Sequence, residues 1–442
     1  MKKNLSAIET ASVASMLFGM FFGAGNLIFP VHMGQLAGSN LWPAFIGFVL
    51  TGVGLPLLGI VAFGITCSDG LQDLASRVSR KYAVFFTTLL YLTIGPCFAI
   101  PRCATTSYTV GLEPLLGNSR LRLTVFCLIF FGLVLFFSLK PNGILTWIGK
   151  IINPMFLIFI CALIITALFN PLADISTVSP DASYQNSAFS NGFLEGYNTM
   201  DAIASLAFGI VVINVIRGLG VTESGDVTRS TIRAGVFSCL LMGLIYLGSC
   251  VIGAQSRGLF ETSANGGIAL AQISEHYFGG IGQIFLAVMV TLACLKTSIG
   301  LVTSLCEAFA EMFTKGKYYS FWAVGFVIFS FLVANLGLTS IISYAVPFLM
   351  FIYPLVITLI LLAIFGGWFG HDRTVYICVT VFTFIAALFD FFNALGVTAV
   401  SQLGQKILPF FGIGLGWLIP ALIGLILGLI LKRTRKPGAS EA

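Results

Sequence analysis

Twelve apolar runs long enough to cross a bilayer follow one another along this 442-residue chain, and nothing else constrains its fold as tightly. They lie near 7–36, 40–65, 82–110, 121–139, 143–169, 191–216, 230–254, 280–306, 320–338, 343–365, 374–393 and 408–431. Inside hydrocarbon every backbone N–H and C=O must find a partner within the protein, so each run is expected to be a helix. Charged residues make up 9% of the chain, against about 25% in a soluble domain. The expected fold class is therefore an all-α polytopic membrane protein of twelve transmembrane helices.

The net charge of +6 is no nucleic-acid footprint, because the basic residues stand singly between apolar runs. They instead orient the chain. With a cytoplasmic N-terminus the inner loops carry Arg77, Arg80, Lys81, Lys140, Arg217, Arg229, Arg233, Lys315, Lys317 and Arg373, and the tail adds Lys432, Arg433, Arg435 and Lys436. The opposite loops hold little beyond Arg120, Arg122, Arg257 and Lys406. That asymmetry predicts both termini inside. No small-residue cleavage site follows Met1-Lys2-Lys3, so the first span is expected to be retained. The longest polar connection is expected at 170–190, and a short helix at 268–276. The ten cysteines include no C-x-x-C pair and read as small buried hydrophobes.

Two spans are interrupted. The first reads Phe18-Gly19-Met20-Phe21-Phe22-Gly23-Ala24-Gly25-Asn26-Leu27-Ile28-Phe29-Pro30, with glycines flanking its centre and an amide at membrane depth. A break there leaves free carbonyls on one side and free N–H groups at the positive helix end on the other. The bland reading is close helix packing at Gly23 and Gly25, with Asn26 as interhelical glue. The sixth reads Asn191-Gly192-Phe193-Leu194-Glu195-Gly196-Tyr197-Asn198-Thr199-Met200-Asp201, and a clean apolar helix resumes at Ala202. Broken helices at matching places in two halves point to a transporter site. The two are five spans apart, which gives five spans per repeat and implies an inverted repeat: residues 1–170 and 171–366, with 367–442 as two further helices and a basic tail.

Asp201 is open between capping the resumed helix, touching a substrate ammonium and carrying a proton. Glu195 is placed at an outer gate or in solvent. In the eighth span Cys294, Thr297 and Ser298 share a helix face and offer a carbonyl and two hydroxyls, the oxygen donors a hard cation takes. The alternative is Thr and Ser bonding back to their own helix. Lys296 projects away from that face. Arg102, behind Pro96 and Pro101, is expected to pair with Glu113 or Glu195 or to snorkel.

Taken together, Gly-Ala-Gly-Asn-Leu-Ile-Phe-Pro at 23–30, Gly-Pro…Ile-Pro-Arg at 95–102, Lys140-Pro141…Gly149-Lys150, and Gly196-Tyr197-Asn198-Thr199-Met200-Asp201-Ala202 resemble the bacterial branched-chain amino acid:cation symporter (BrnQ-like) family over nearly the whole chain. The first break also resembles that of LeuT-fold sodium-coupled transporters. The resemblance implies a 5+5 inverted repeat with broken helices 1 and 6 and two extra C-terminal helices. It implies uptake of leucine, isoleucine and valine across the bacterial inner membrane by alternating access, with Na+ as coupling ion. It further implies a Na+ site on Gly19, Phe22, Cys294, Thr297 and Ser298. Phe21, Gly23, Ala24, Gly25, Asn26, Tyr197, Asn198, Thr199 and Asp201 would hold substrate. Its carboxylate would lie at the N–H groups of Gly25 and Asn26, and its ammonium at carbonyls near Phe21 and 197–199. Phe21 and Phe22 are bulkier than the small residues of the LeuT pattern, so no second ion site is assigned at Asn26 and Thr199. The partners expected are these amino acids and the lipid bilayer, with no nucleic acid, organic cofactor or obligatory protein partner.

Proton coupling is the main alternative. A channel would need a continuous polar stripe, and only local polar clusters occur. An enzyme would need a catalytic set, and His32, His276 and His371 are scattered. The Gly143…Gly149-Lys150 spacing does not make a phosphate loop.

Overall fold

The computed structural model describes residues 2–117, 119–139, 144–314 and 316–434, except the side chains of residues 116 and 144–153. Lys140, Pro141, Gly143, Lys315, Arg435 and Lys436, used above, lie outside the described residues, as does the side chain of Lys150. Among the described residues every regular element is a helix.

The first apolar run is split. Helix α1 (Ala7–Phe21) starts on a capping box, in which Ser6 accepts the Glu9 N–H and Glu9 accepts that of Ser6. Phe22 and Gly23 are extended, and α2 (Ala24–Ala37) begins. The break is thus two residues long and lies just before the expected one. Gly25 and Asn26 are inside the first turn of α2, because the Asn26 Oδ1 accepts the Gly23 N–H and closes the cap. A turn through Gly38, with φ of +50°, leads into α3 (Leu41–Val49), which a π turn joins to α4 (Leu55–Thr66). After the short α5 (Leu71–Ser76), α6 (Arg80–Leu92) and α7 (Ala99–Ser107) meet at a kink through Gly95 and Pro96. Helices α8 (Glu113–Leu116), α9 (Arg120–Leu139) and α10 (Ile144–Phe169) follow.

The second half opens with α11 (Ala182–Glu195), so the expected polar connection ends earlier than the sequence suggested. Asp181 caps this helix at the Ser183 N–H, a bond that holds its carboxyl below the usual carboxylate range. A 3-10 turn over Gly196–Thr199 and left-handed Met200 separate α11 from α12 (Asp201–Gly218). Helix α13 (Ser224–Ser256) precedes α14 (Gly266–Thr314), which bends at Gly279. The stretch before that bend contains the helix expected at 268–276. The rest is α15 (Tyr319–Ala334), α16 (Leu338–Ile364), α17 (Arg373–Ala394), α18 (Thr398–Ile407) and α19 (Leu418–Thr434).

Among the described residues eight helical stretches are long and apolar enough to cross a membrane by length and composition. Shorter apolar helices are Ala7–Phe21, Pro154–Phe169 and Tyr319–Ala334. The first apolar run is cut by its break, and its second half, α2, is followed across the Gly38 turn by the helices of the next run. Large apolar side chains such as Leu128, Ile158 and Leu332 face outward, as a lipid-facing surface requires.

Helix α2 lies deep inside, against α13, α14 and α11. Its contact with α13 is backbone on backbone: a methyl group at Gly34 would overlap the Cys250 carbonyl, and one at Gly253 the Val31 carbonyl. This is small-residue packing as lipid-embedded helices use it.

Candidate functional site

The two breaks face each other at the centre of the molecule. Asn26, in the first turn of α2, donates its amide to Oδ2 of Asp201, in the first turn of α12, at 2.5 Å. Tyr246 of α13 donates to the same oxygen at 3.1 Å and also touches the Asn26 amide. All three are buried. Asp201 does not cap α12, which corrects that reading. Met200 holds the cap position in a left-handed conformation, and the Asp201 carboxylate is aimed across to α2.

Around these groups lies a cavity of about 50 Å³. Phe21, Gly23, Ala24, Gly25, Asn26, Thr199, Asp201 and Thr297 line it, together with Arg102 and Cys103, which the sequence did not place there. Such a volume holds roughly one to three waters, whereas a cavity of about 150 Å³ is needed even for benzene. The cavity as it stands is too small for a ligand of amino-acid size.

The N–H groups of Ala24, Gly25 and Asn26 open α2, where first-turn donors lack intrahelical partners and the helix end is positive. Of the carbonyls expected for an ammonium, two already accept one hydrogen bond each. The Asn198 carbonyl accepts from Arg102 at 2.6 Å, and the Tyr197 carbonyl accepts the Met200 N–H at 3.0 Å. Tyr197 and Asn198 line a separate cavity of about 330 Å³ beyond the break, with Leu36, Glu195 and Met350. The Tyr197 ring stacks on Tyr353 at 3.9 Å. Glu195 is half-buried and accepts from the Asn198 amide at 3.2 Å. Thr199 bridges the turn, donating to the Gly196 carbonyl and accepting the Asp201 N–H.

Arg102 departs furthest from expectation. It neither snorkels nor forms an ion pair. Its guanidinium is buried in α7, lies over the Phe29 ring at 5.1 Å and abuts Gly25. Pro96 and Pro101 signalled an irregular helix, but no local pattern shows which way a lone arginine turns. Tyr246 was missed for a similar reason: a tyrosine in an apolar run looks like core.

The residues expected to hold an ion are arranged around the same break. Thr297 of α14 packs on Gly23, where a Cβ would stand 3.8 Å from its Oγ1. That hydroxyl bonds back to the Ala293 carbonyl at 3.0 Å. The Ser298 hydroxyl is fully buried and makes no hydrogen bond of ordinary geometry, though the Cys103 thiol lies beside it and beside Cys294. Gly19 and Phe22 belong to the end of α1, where carbonyls lose their intrahelical partners. The Phe22 ring stacks on Phe18 and reaches Phe156. Lys296 does not line the cavity. Among the described residues no group of three His, Cys, Asp or Glu side chains could hold a metal, so an ion here would rest on carbonyl and hydroxyl oxygens.

Residues 6–435 match the family described as branched-chain amino acid transport protein. The chain is 50% identical to a branched-chain amino acid permease BrnQ of Lactobacillus delbrueckii subsp. lactis, over 96% of each protein. It is 42% identical to BrnQ of Bacillus subtilis and 36% to BrnQ of Escherichia coli K12, over 98% of each. Among solved structures it resembles the inward-facing conformation of Mhp1 (TM-score 0.59, 14% identity) and a substrate-bound, outward-open Na+-coupled sialic acid symporter (0.57, 15%). Both matches cover 96% of this chain and 90% of the other, and they show a shared LeuT-type fold.

Proposed function

We propose a function from one premise: the chain belongs to the branched-chain amino acid transport protein family. Its relatives are permeases, not enzymes. We read this protein as a symporter that brings leucine, isoleucine and valine into a bacterial cell together with Na+. The observation that carries the reading is the junction of two helix breaks at one buried cavity, tied by the Asn26–Asp201 bond. The extended Phe22–Gly23 segment and the 3-10 turn with left-handed Met200 let each helix half tilt on its own, which alternating access requires.

In this reading the α-carboxylate sits at the first-turn N–H groups of α2. The aliphatic chain lies among Met20, Phe21, Ile94, Ala204, Phe208 and Leu301. Na+ lies on the other side of the break. The unpartnered Ser298 hydroxyl, the Thr297 hydroxyl against Gly23, the Cys294 carbonyl and the terminal carbonyls of α1 at Gly19 and Phe22 fit an oxygen-only cation site. Both ligands touch the same break, so each favours the conformation that the other binds. Twelve crossings in a 5+5 inverted repeat plus two, with both termini cytoplasmic, fit the asymmetry of the basic loops.

Leucine uptake into proteoliposomes, with and without an inward Na+ gradient, tests the reading. Accumulation only with the gradient is expected. Uptake driven equally by a pH gradient in choline would replace Na+ with H+, and no uptake of any branched-chain amino acid would refute the reading.

A further inference from the structure

Two opposite charges share the central cavity without touching. Arg102 is 4% exposed and Asp201 3%, both line the cavity, and no ion pair joins them. Buried charges usually collapse onto one another, because an unpaired one is strongly destabilising. Here each is held back by other bonds. The Arg102 Nη1 is fixed to the Asn198 carbonyl of the α11–α12 turn, and the guanidinium lies on Phe29. The Asp201 carboxylate is fixed to Asn26 and Tyr246.

Both groups keep bonding capacity towards the cavity. The Arg102 Nη2 lies against Gly25 at the cavity wall, 2.9 Å from where a Cβ would stand, and a guanidinium carries five donors in a planar fork that matches a carboxylate. Asn26 and Tyr246 both donate to Oδ2 of Asp201, and Oδ1 accepts from neither. Between the two charges lies the first turn of α2, and Gly25 has no side chain to separate the guanidinium from its N–H groups.

We propose that Arg102 and Asp201 form a zwitterion clamp, with Arg102 taking the α-carboxylate of the substrate and Asp201 its α-ammonium. The inference rests on the branched-chain amino acid reading and gives that site its head-group chemistry. The clamp is neutral overall, and a neutral zwitterion completes it. Each buried charge then gains a partner at the moment of binding. The clamp gives the ammonium a charged partner in place of the carbonyls at 197 and 198, each of which already accepts one hydrogen bond. A molecule with one head-group charge would satisfy one residue and leave the other unpaired, so the clamp selects amino acids over the corresponding acids or amines.

The test uses leucine and two truncated analogues: 3-methylbutylamine, which lacks the carboxylate, and 4-methylpentanoate, which lacks the ammonium. Binding to purified full-length protein is measured by displacement of labelled leucine, and directly by calorimetry for the variants. Wild type is expected to prefer leucine to either analogue by 100-fold or more. Arg102→Gln leaves a net negative site, so leucine should weaken at least 100-fold while the amine binds more tightly than it does to wild type. Asp201→Asn leaves a net positive site and should invert the order, with the acid gaining. Arg102→Lys keeps the charge and should keep the wild-type order with weaker leucine. These crossed gains are not produced by misfolding. If Arg102→Gln does not fold, Asp201→Asn and Arg102→Lys decide the matter by the same criteria. Leucine binding by Arg102→Gln within threefold of wild type would overturn the clamp, as would equal losses for all three ligands in folded variants. Failure of wild type to bind any branched-chain amino acid would instead remove the transport reading beneath it.

Discussion

Replacing Gly25 with alanine should weaken leucine binding while leaving the fold as stable as before, or slightly more so. Gly25 lies in the first turn of α2 with no left-handed backbone, so alanine fits its conformation. In a helix the exchange is worth about 0.5–1 kcal/mol in favour of alanine. The new methyl carbon would stand 2.9 Å from Nη2 of Arg102, 3.4 Å from its Cζ and 3.4 Å from Cε2 of Phe29. Only the first contact is too short, and relieving it pushes the guanidinium back by about half an ångström. The guanidinium is planar and rigid, so its donor fork shifts as one away from the first-turn N–H groups of α2, and a carboxylate held there loses a hydrogen bond to it. A hydrogen bond to a charged group contributes about 1.5–3 kcal/mol, which corresponds to roughly a 10- to 150-fold change in affinity. The methyl also covers the N–H groups that receive the carboxylate, so the loss should lie within or above that range. Leucine titration at saturating NaCl and thermal unfolding of the same sample measure both sides. A dissociation constant within twofold of wild type would refute the reasoning. So would a large fall in Tm alongside the lost affinity, because that would make the effect one of packing.

Other perturbations separate the remaining parts. Leucine affinity should rise with NaCl at fixed pH and be unmoved by choline chloride, and Thr297→Ala with Ser298→Ala should flatten that dependence. Binding that follows pH and ignores sodium would point to proton coupling instead. Tyr246→Phe removes one of the two donors to Asp201 Oδ2; leucine binding should weaken by the equivalent of about 1.5–3 kcal/mol, and unchanged binding would show that Asn26 alone holds the carboxylate. Gly253→Ala drives a methyl into the Val31 carbonyl and should destabilise the protein by about 1–3 kcal/mol, read as a lower Tm; an unchanged Tm would mean that α2 and α13 can separate freely. Asp181→Ala removes the α11 cap and should cost about 1 kcal/mol. The Asp181 pKa is lowered in the folded state, so its contribution is present above the usual carboxylate range and is lost as pH falls through the folded value. The melting difference between wild type and variant should therefore vanish in acid, and a difference that persists there would argue against the cap.

The membrane character and the two interruptions were legible because they are local. Apolar length, glycine at depth and polar residues clustered at 195–201 leave marks within a dozen positions. The face carrying Cys294, Thr297 and Ser298 was legible from helical spacing, and it does meet the first break, at Gly23. What the sequence concealed depends on which side chain turns towards which distant helix. Asp201 follows a turn and precedes an apolar helix, as an N-cap does, yet a left-handed Met200 takes the cap and frees the carboxylate. Arg102 offered partners at Glu113 and Glu195 by charge alone, and a backbone carbonyl 96 positions away took its place. Asn26 illustrates both cases: the sequence marked it as polar glue, and one amide caps its own helix through Oδ1 and grips Asp201 through Nδ2.

That double use of Asn26 links binding to movement. Two larger cavities are lined by segments next in sequence to the walls of the central one of about 50 Å³. One, of about 330 Å³, is bounded by α11, the Gly196–Thr199 turn and α16. The other, of about 630 Å³, is bounded by α1, α10 and α13, with Ala14, Phe18, Pro154 and Arg233 on its walls. The septum on the first side includes Asn198, held by Arg102. The second side is bounded by α1, which ends at the break and therefore tilts without carrying α2 with it. A ligand that takes one charge from Arg102 and one from Asp201 competes for the groups that hold α7 to the α11–α12 turn and α2 to α12. On the proposed reading, binding therefore loosens the closures beside it: the Asn198 side would yield when the guanidinium turns to the carboxylate, and the α1 side when a bound ion leaves the carbonyls at its end.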